Sequence, residues 1–138
     1  MLNIGLVLPD VLGTYGDDGN ALVLRQRARM RGFEAEIHPI RLGEPVPETL
    51  DIYTLGGGED TAQILAADHL ISDGGLTRAA NAGRPVFAMG YSNGANILAS
   101  VMFEAPDLFD RAVLMHPLIP WTPAPQPGLA GRQVLLTA

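Results

Sequence analysis

The sequence predicts an α/β fold: one domain of three layers, with helices on both faces of a mainly parallel sheet. Three observations predict it. Short apolar runs alternate with stretches of helical periodicity, and consecutive strands separated by helices need crossovers, which makes them parallel. The first run, Asn3 to Leu8, is continuously apolar apart from Asn3 and reads as a strand buried on both faces. The chain has 138 residues, the length of one domain, and buries roughly two thirds of its unfolded surface.

The elements follow in order. After the first strand, Thr14 to Asn20 is polar and glycine-rich and reads as a loop. From Ala21 to Arg31, Ala21, Leu22, Leu24, Ala28 and Met30 share one helical face, and Gly32 stands where a helix ends. Phe33 to Ile40 alternates and holds Pro39, which suits an edge strand. Asp51 to Leu55 is the third strand, followed by Gly56 to Asp60 and a long helical stretch to about Ala82, with a break at Ser72 to Gly75. Pro85 to Met89 is the fourth strand, Gly90 to Gly94 a tight turn, and Ala95 to Glu104 a helix. Arg111 to Met115 is the fifth strand. His116 to Gly131 holds five prolines and reads as irregular, and Gln133 to Thr137 is the sixth strand.

Right-handed crossovers give the strand order 2-1-3-4-5, flavodoxin-like, with the sixth strand added beyond the fifth. The last link lacks a helix, so the sixth strand is the weakest placement. The expected organisation is a single domain over residues 1–138.

Composition narrows the function classes. The net charge of −6 repels phosphate backbones, which argues against nucleic acid as a partner. Lys and Arg form no cluster for an anionic membrane surface, and no stretch approaches the roughly 18 apolar residues of a membrane span. Met1 to Pro9 is too short and uncharged for a secretory signal, which leaves a cytoplasmic location as the default. The absence of cysteine excludes disulfides, thiolate metal sites and cysteine nucleophiles. No His, Asp and Glu set has metal-ligand spacing, and no cofactor is implied.

Chemistry is expected at the carboxyl ends of the strands. Gly90-Tyr91-Ser92-Asn93-Gly94 fits G-x-S-x-G. That pattern puts a serine on a sharp strand-to-helix turn and the next amide, here Asn93, at a helix N-terminus beside a developing oxyanion. The plainer alternative is a glycine-rich turn whose Ser92 caps the helix.

Gly56, Gly57 and Gly58 lie at the start of the next helix, where successive amides can form an anion nest. In the expected strand order, the amides of Gly57 and Gly58 would face Ser92. The alternative is a tight turn with Glu59 and Asp60 on the helix dipole. Gly13 to Asn20 hints at a dinucleotide loop, but Asp17 and Asp18 would repel a pyrophosphate, and a helix N-cap fits better.

A nucleophilic serine needs a base. Of the three histidines, His38 falls on the edge strand, His69 mid-helix, and His116 at the end of the fifth strand next to Ser92. His116 is the geometric candidate, against the alternative of a polar residue that ends a strand before Pro117. Glu59 could serve as the acid, though no spacing demands it. Asp107 and Asp110 fall at the far end of the sheet.

Residues 1–86 resemble a class I glutamine amidotransferase of the cobyric-acid-synthase type, the kind of subunit that amidates peptidoglycan precursor. The resemblance rests on Tyr15-Gly16-Asp17, Gly19-Asn20, the Leu24 to Gly32 helix, Asp51-Ile52-Tyr53, Gly56 to Asp60 and Gln63. It implies an oxyanion role for the glycine turn and a cysteine after the next strand, where this chain has none. Residues 87–138 resemble a small carboxylesterase or phospholipase-type α/β-hydrolase. That resemblance rests on Gly90 to Asn96, Pro106 to Phe109, Ala112 to Leu114, His116-Pro117 and Val134 to Ala138. It implies a triad acid just after the last strand and a histidine later still. His116 matches a position that is not the base of that family.

The expectation is therefore a recombined chain, engineered or a natural fusion, with its junction near Val86 to Met89. Three readings follow. It is a scaffold without efficient turnover, or a weak serine esterase using Ser92, Asn93 and His116, or one part of an assembly that supplies the missing groups. The uncovered sheet face expected near the last strand suits a homodimer through the C-terminal part of the sheet.

Overall fold

A computed structural model describes residues 1–138. The fold is α/β with parallel strands, and the chain divides into two compact units, Met1–Ala82 and Gly83–Ala138. The six strands are hydrogen-bonded as two runs of three, one run in each unit. Within each run the order is the expected one, and every pairing is parallel.

In the first unit, β1 (Leu2–Val7) lies between β2 (Ala35–Ile40) and β3 (Ile52–Leu55). Strand alternation sends residues to two faces. Ile4 and Ala35 pack with Ala21 of α1 (Asp18–Met30) on one face. Val7 and Ile40 pack on the other with Leu12, Leu50 and Ala66, the last from α2 (Asp60–Asp73). This unit is thus a sheet between two helical layers, and Pro39 sits on the edge strand β2, where the ladder tolerates it.

Helix α1 starts at Asp18, earlier than its apolar face suggested, because Asp17 already has helical dihedrals (φ −64°, ψ −16°). It ends in a Schellman arrangement: Phe33 N–H donates to Ala28 O (3.1 Å) and Gly32 N–H to Arg29 O (3.0 Å). The break in the long helix falls at Gly74, and α3 (Gly75–Ala80) follows it.

In the second unit, β5 (Arg111–Met115) lies between β4 (Phe87–Tyr91) and β6 (Gln133–Thr137). The sixth strand therefore sits where it was expected. Helix α4 (Asn93–Glu104) covers one face, packing Ala95, Leu98, Ala99 and Met102 on Ala112 and Leu114. The proline-rich segment is irregular apart from a single 3-10 turn, Pro127–Leu129.

Strand β4 begins at Phe87, two residues after Pro85, which has no amide hydrogen to give a ladder. It then runs through Tyr91, so the expected five-residue turn contracts to one residue, Ser92, between strand and helix. No helix is long and apolar enough to cross a membrane.

Candidate nucleophile elbow

Ser92 has φ 52° and ψ −116°, outside the three regions open to L-residues. Such a backbone costs about 1–3 kcal/mol and persists where the surroundings enforce it. Here three contacts enforce it. Ser92 N–H donates to Met115 O of β5 (2.8 Å), Ser92 O accepts from Asn96 N–H (3.2 Å), and α4 passes close over Gly90. A Cβ on Gly90 would lie 2.5 Å from Gly94 O, so only glycine fits there. At Gly94 a Cβ would meet nothing within 4 Å, so the second glycine of the motif is not a packing requirement.

The Ser92 side chain makes no capping hydrogen bond, although it holds the N-cap position of α4. The plainer alternative, a serine that caps its helix, is therefore not what the chain does. The residue is exposed. Asn93 is the first residue of α4, so its amide has no carbonyl one turn back inside the helix. An exposed hydroxyl on a strained corner next to a helix-start amide is the arrangement that acyl transfer uses.

His116 follows β5 directly, also with positive φ (51°). Its amide donates to Thr137 O of β6 (2.9 Å). Its ring stands edge-on to Tyr91, with centroids 5.5 Å apart and planes at 80°. Ser92 and His116 thus leave adjacent strands at the same end. With Leu8 after β1, they are the three non-glycine residues of positive φ, each the first residue past a strand.

Gly57 and Gly58 belong to the first unit. The Gly57 amide donates to Asp17 Oδ2 (2.7 Å). The loop was expected to provide an N-cap for the helix, but Asp17, which holds the N-cap position of α1 with helical dihedrals, makes no capping bond. The two glycine-bearing loops of this unit are therefore tied to each other. Gly58 is buried, and its carbonyl accepts from Gln63 Nε2 (2.7 Å). Glu59 is exposed and occupies the N-cap position of α2.

The other polar candidates have structural partners. His38 Nε2 lies 3.0 Å from Asn3 Oδ1, and His69 Nε2 donates to Glu44 O (3.2 Å). Asp107 pairs with Arg132, and Asp110 accepts from Val86 N–H (2.7 Å), both at the end of the sheet opposite Ser92. No three His, Asp or Glu side chains converge as metal ligands do. One side-chain contact the sequence did not reveal is that of Asn96, whose Oδ1 accepts from Leu118 N–H (2.8 Å).

Against known proteins, no family model matches the chain. Over 68 residues it is 43% identical to a putative hydrolase, MhqD of Bacillus subtilis (strain 168), covering 49% of this chain and 34% of that protein. Over 70 residues it is 37% identical to the lipid II isoglutaminyl synthase (glutamine-hydrolyzing) subunit GatD of Staphylococcus aureus (strain N315), covering 50% of this chain and 29% of that protein. The GatD of Streptococcus pneumoniae (strain ATCC BAA-255 / R6) is 36% identical over 70 residues, or 50% and 27% of the two chains. Half-chain likenesses thus run to a hydrolase and to an amidotransferase-like subunit. The chain spans about a third of the length of these relatives. A solved structure, the protein Atu2452 of unknown function from Agrobacterium tumefaciens str. C58, is 32% identical with a TM-score of 0.44, covering 98% of this chain and 64% of that one.

Proposed function

We propose that Ser92 is the nucleophile of a serine carboxylic-ester hydrolase site, in a chain that unites an amidotransferase-like part (residues 1–86) with an α/β-hydrolase-like part (residues 87–138). The backbone of Ser92, φ 52° and ψ −116° without a capping bond, carries the reading. Leu8 shares the positive φ, but only at Ser92 does it fall on an exposed hydroxyl-bearing residue that starts a helix, and backbone strain of this kind clusters at active sites. The two half-chain likenesses, to different kinds of protein, support the composite origin. So does the division into compact units at Ala82 and Gly83, a few residues before the expected junction.

In the proposed reaction, Ser92 Oγ attacks the ester carbonyl carbon. The Oγ–C bond forms, and the carbonyl oxygen takes the negative charge beside the Asn93 amide. The Oγ proton passes to a base, for which His116 is the candidate; the carbonyl re-forms as the bond from carbon to the alkoxide oxygen breaks, and the base gives the proton to that oxygen. Water then cleaves the acyl-serine, restoring Ser92 and releasing the carboxylic acid.

A second reading, a composite scaffold without efficient turnover, is favoured by one pair of observations. The His116 ring rests on Tyr91, and the Gly57 amide is taken by Asp17. An elbow without its base and orienter keeps only roughly 10³–10⁴-fold over water.

One experiment separates the two. The protein is treated with a fluorophosphonate, its intact mass is read, and Ser92→Ala is the control. Rapid single labelling that Ser92→Ala abolishes supports the hydrolase reading. A folded protein that does not label is a scaffold.

A further inference from the structure

We infer that Asn96 is a positioning residue that holds the His116 turn against the Ser92 elbow, an inference that rests on reading Ser92 as the nucleophile. Asn96 lies in the first turn of α4 and touches both sides of the site. Its backbone N–H donates to Ser92 O (3.2 Å), which fixes it to the strained corner. Its side-chain Oδ1 accepts from Leu118 N–H (2.8 Å), two residues past His116.

Beyond Leu118 the segment is also held by Ile119, which packs on the core between α4 and β5. His116 is anchored on one side by its amide bond to Thr137 O (2.9 Å) and leaves the strand with φ 51°. Pro117 has no amide hydrogen, so the Leu118 amide is the first donor after His116 that can be tied down. Tying it to the helix that starts at the elbow sets where the His116 ring stands relative to Ser92. The ring is faced by Tyr91 from β4, while β6 meets the turn through the Thr137 carbonyl and α4 through Asn96. No helix geometry calls for an asparagine at this position, since its propensity for a helix interior is poor. Its oxygen is instead used across 22 residues of chain.

The test measures fluorophosphonate labelling of Ser92 from pH 5 to 9 in the wild type, Asn96→Ala, Asn96→Asp and His116→Ala. The wild type is expected to label faster as pH rises, as assistance by a general base requires. Asn96→Ala should flatten that rise and slow labelling at pH 8 about 10-fold or more, as His116→Ala should. Asn96→Asp still accepts from Leu118, so it should keep the rise, moved to higher pH by the added negative charge. A purely structural asparagine would not move the profile, and a folded Asn96→Ala with the wild-type profile overturns the inference.

Amide exchange at Leu118 and the NMR shifts of the His116 ring protons keep the two readings apart. If the wild type does not label, the nucleophile reading has failed. Positioning is then decided by whether Asn96→Ala speeds Leu118 exchange and removes the ring-current shift from Tyr91; no change in either overturns it. If Asn96→Ala does not fold, Asn96→Asp decides: a retained Leu118 bond and ring shift support the inference, and their loss ends it.

Discussion

The backbone of Gly94 lies over Gly90 so closely that a Cβ on Gly90 would stand 2.5 Å from the Gly94 carbonyl oxygen and 2.7 Å from the Ala95 nitrogen. The helix can start one residue after the serine only because β4 presents no side chain there. Gly90→Ala should therefore destabilise the protein by about 2–3 kcal/mol, since the obstruction is backbone and cannot rotate away. Gly94→Ala should be neutral or stabilise by roughly 0.5–1 kcal/mol, the gain of Ala over Gly in a helix with open space around it. Urea denaturation of the two variants checks both. Equal losses would show that the corner is not built as described.

Ser92 stores strain that a glycine would not. Ser92→Gly should raise the unfolding free energy by about 1 kcal/mol over Ser92→Ala, because both remove the hydroxyl but only glycine adopts this backbone readily. Thermal melts of the pair read the difference. A Ser92→Ala variant as stable as Ser92→Gly would mean that the corner relaxes in solution.

Asp17 and Gly57 join the two loops of the first unit through one charged hydrogen bond of 2.7 Å. Asp17→Ala leaves the half-buried Gly57 amide without this acceptor and should cost about 1–2 kcal/mol. Asp17→Asn keeps an acceptor without the charge and should cost less. Denaturation midpoints in that rank order support the bond. No loss in Asp17→Ala would show that water replaces it freely.

Asp73 links the helix break to the loop before β3. Its Oδ2 accepts from Gly75 N–H (2.9 Å) and from Val46 N–H (3.1 Å). The Gly75 bond, then the Val46 bond, holds its carboxyl below the ordinary value of 3.8. A lowered folded-state pKa means that the unfolded chain takes up the proton first as pH falls. The contribution of Asp73 is thus complete above about pH 5, well above the ordinary carboxyl value, and is lost as pH drops through its lowered pKa. Asp73→Asn should lower stability at pH 7 and flatten its decline between about pH 5 and 2. If the wild type and Asp73→Asn lose stability in parallel over that range, the carboxylate does not hold this break.

Much of the architecture was legible from the residues alone. The apolar run of β1, the helical face of α1 ended by Gly32, the break at Gly74 and the alternation of strand and helix are all local patterns. Periodicity and glycine placement record them directly. The Ser92 elbow was legible for the same reason, since a strand, a G-x-S-x-G and a helix are contiguous in sequence. Even the sixth strand was placed correctly beside the fifth.

What the sequence left open was set by partners far apart along the chain. The Asp17 carboxylate bonds Gly57, 40 residues away, rather than the helix it precedes. Asn96 reaches Leu118, and the His116 ring meets Tyr91. Only the structure showed that the strands form two ladders of three, and that Ser92 is strained instead of capping its helix. Element type follows from local spacing, which the sequence carries by itself. Which amide receives a carboxylate, and which ring a histidine meets, depends on strand register and on the backbone angle of single residues, and only tertiary packing fixes those.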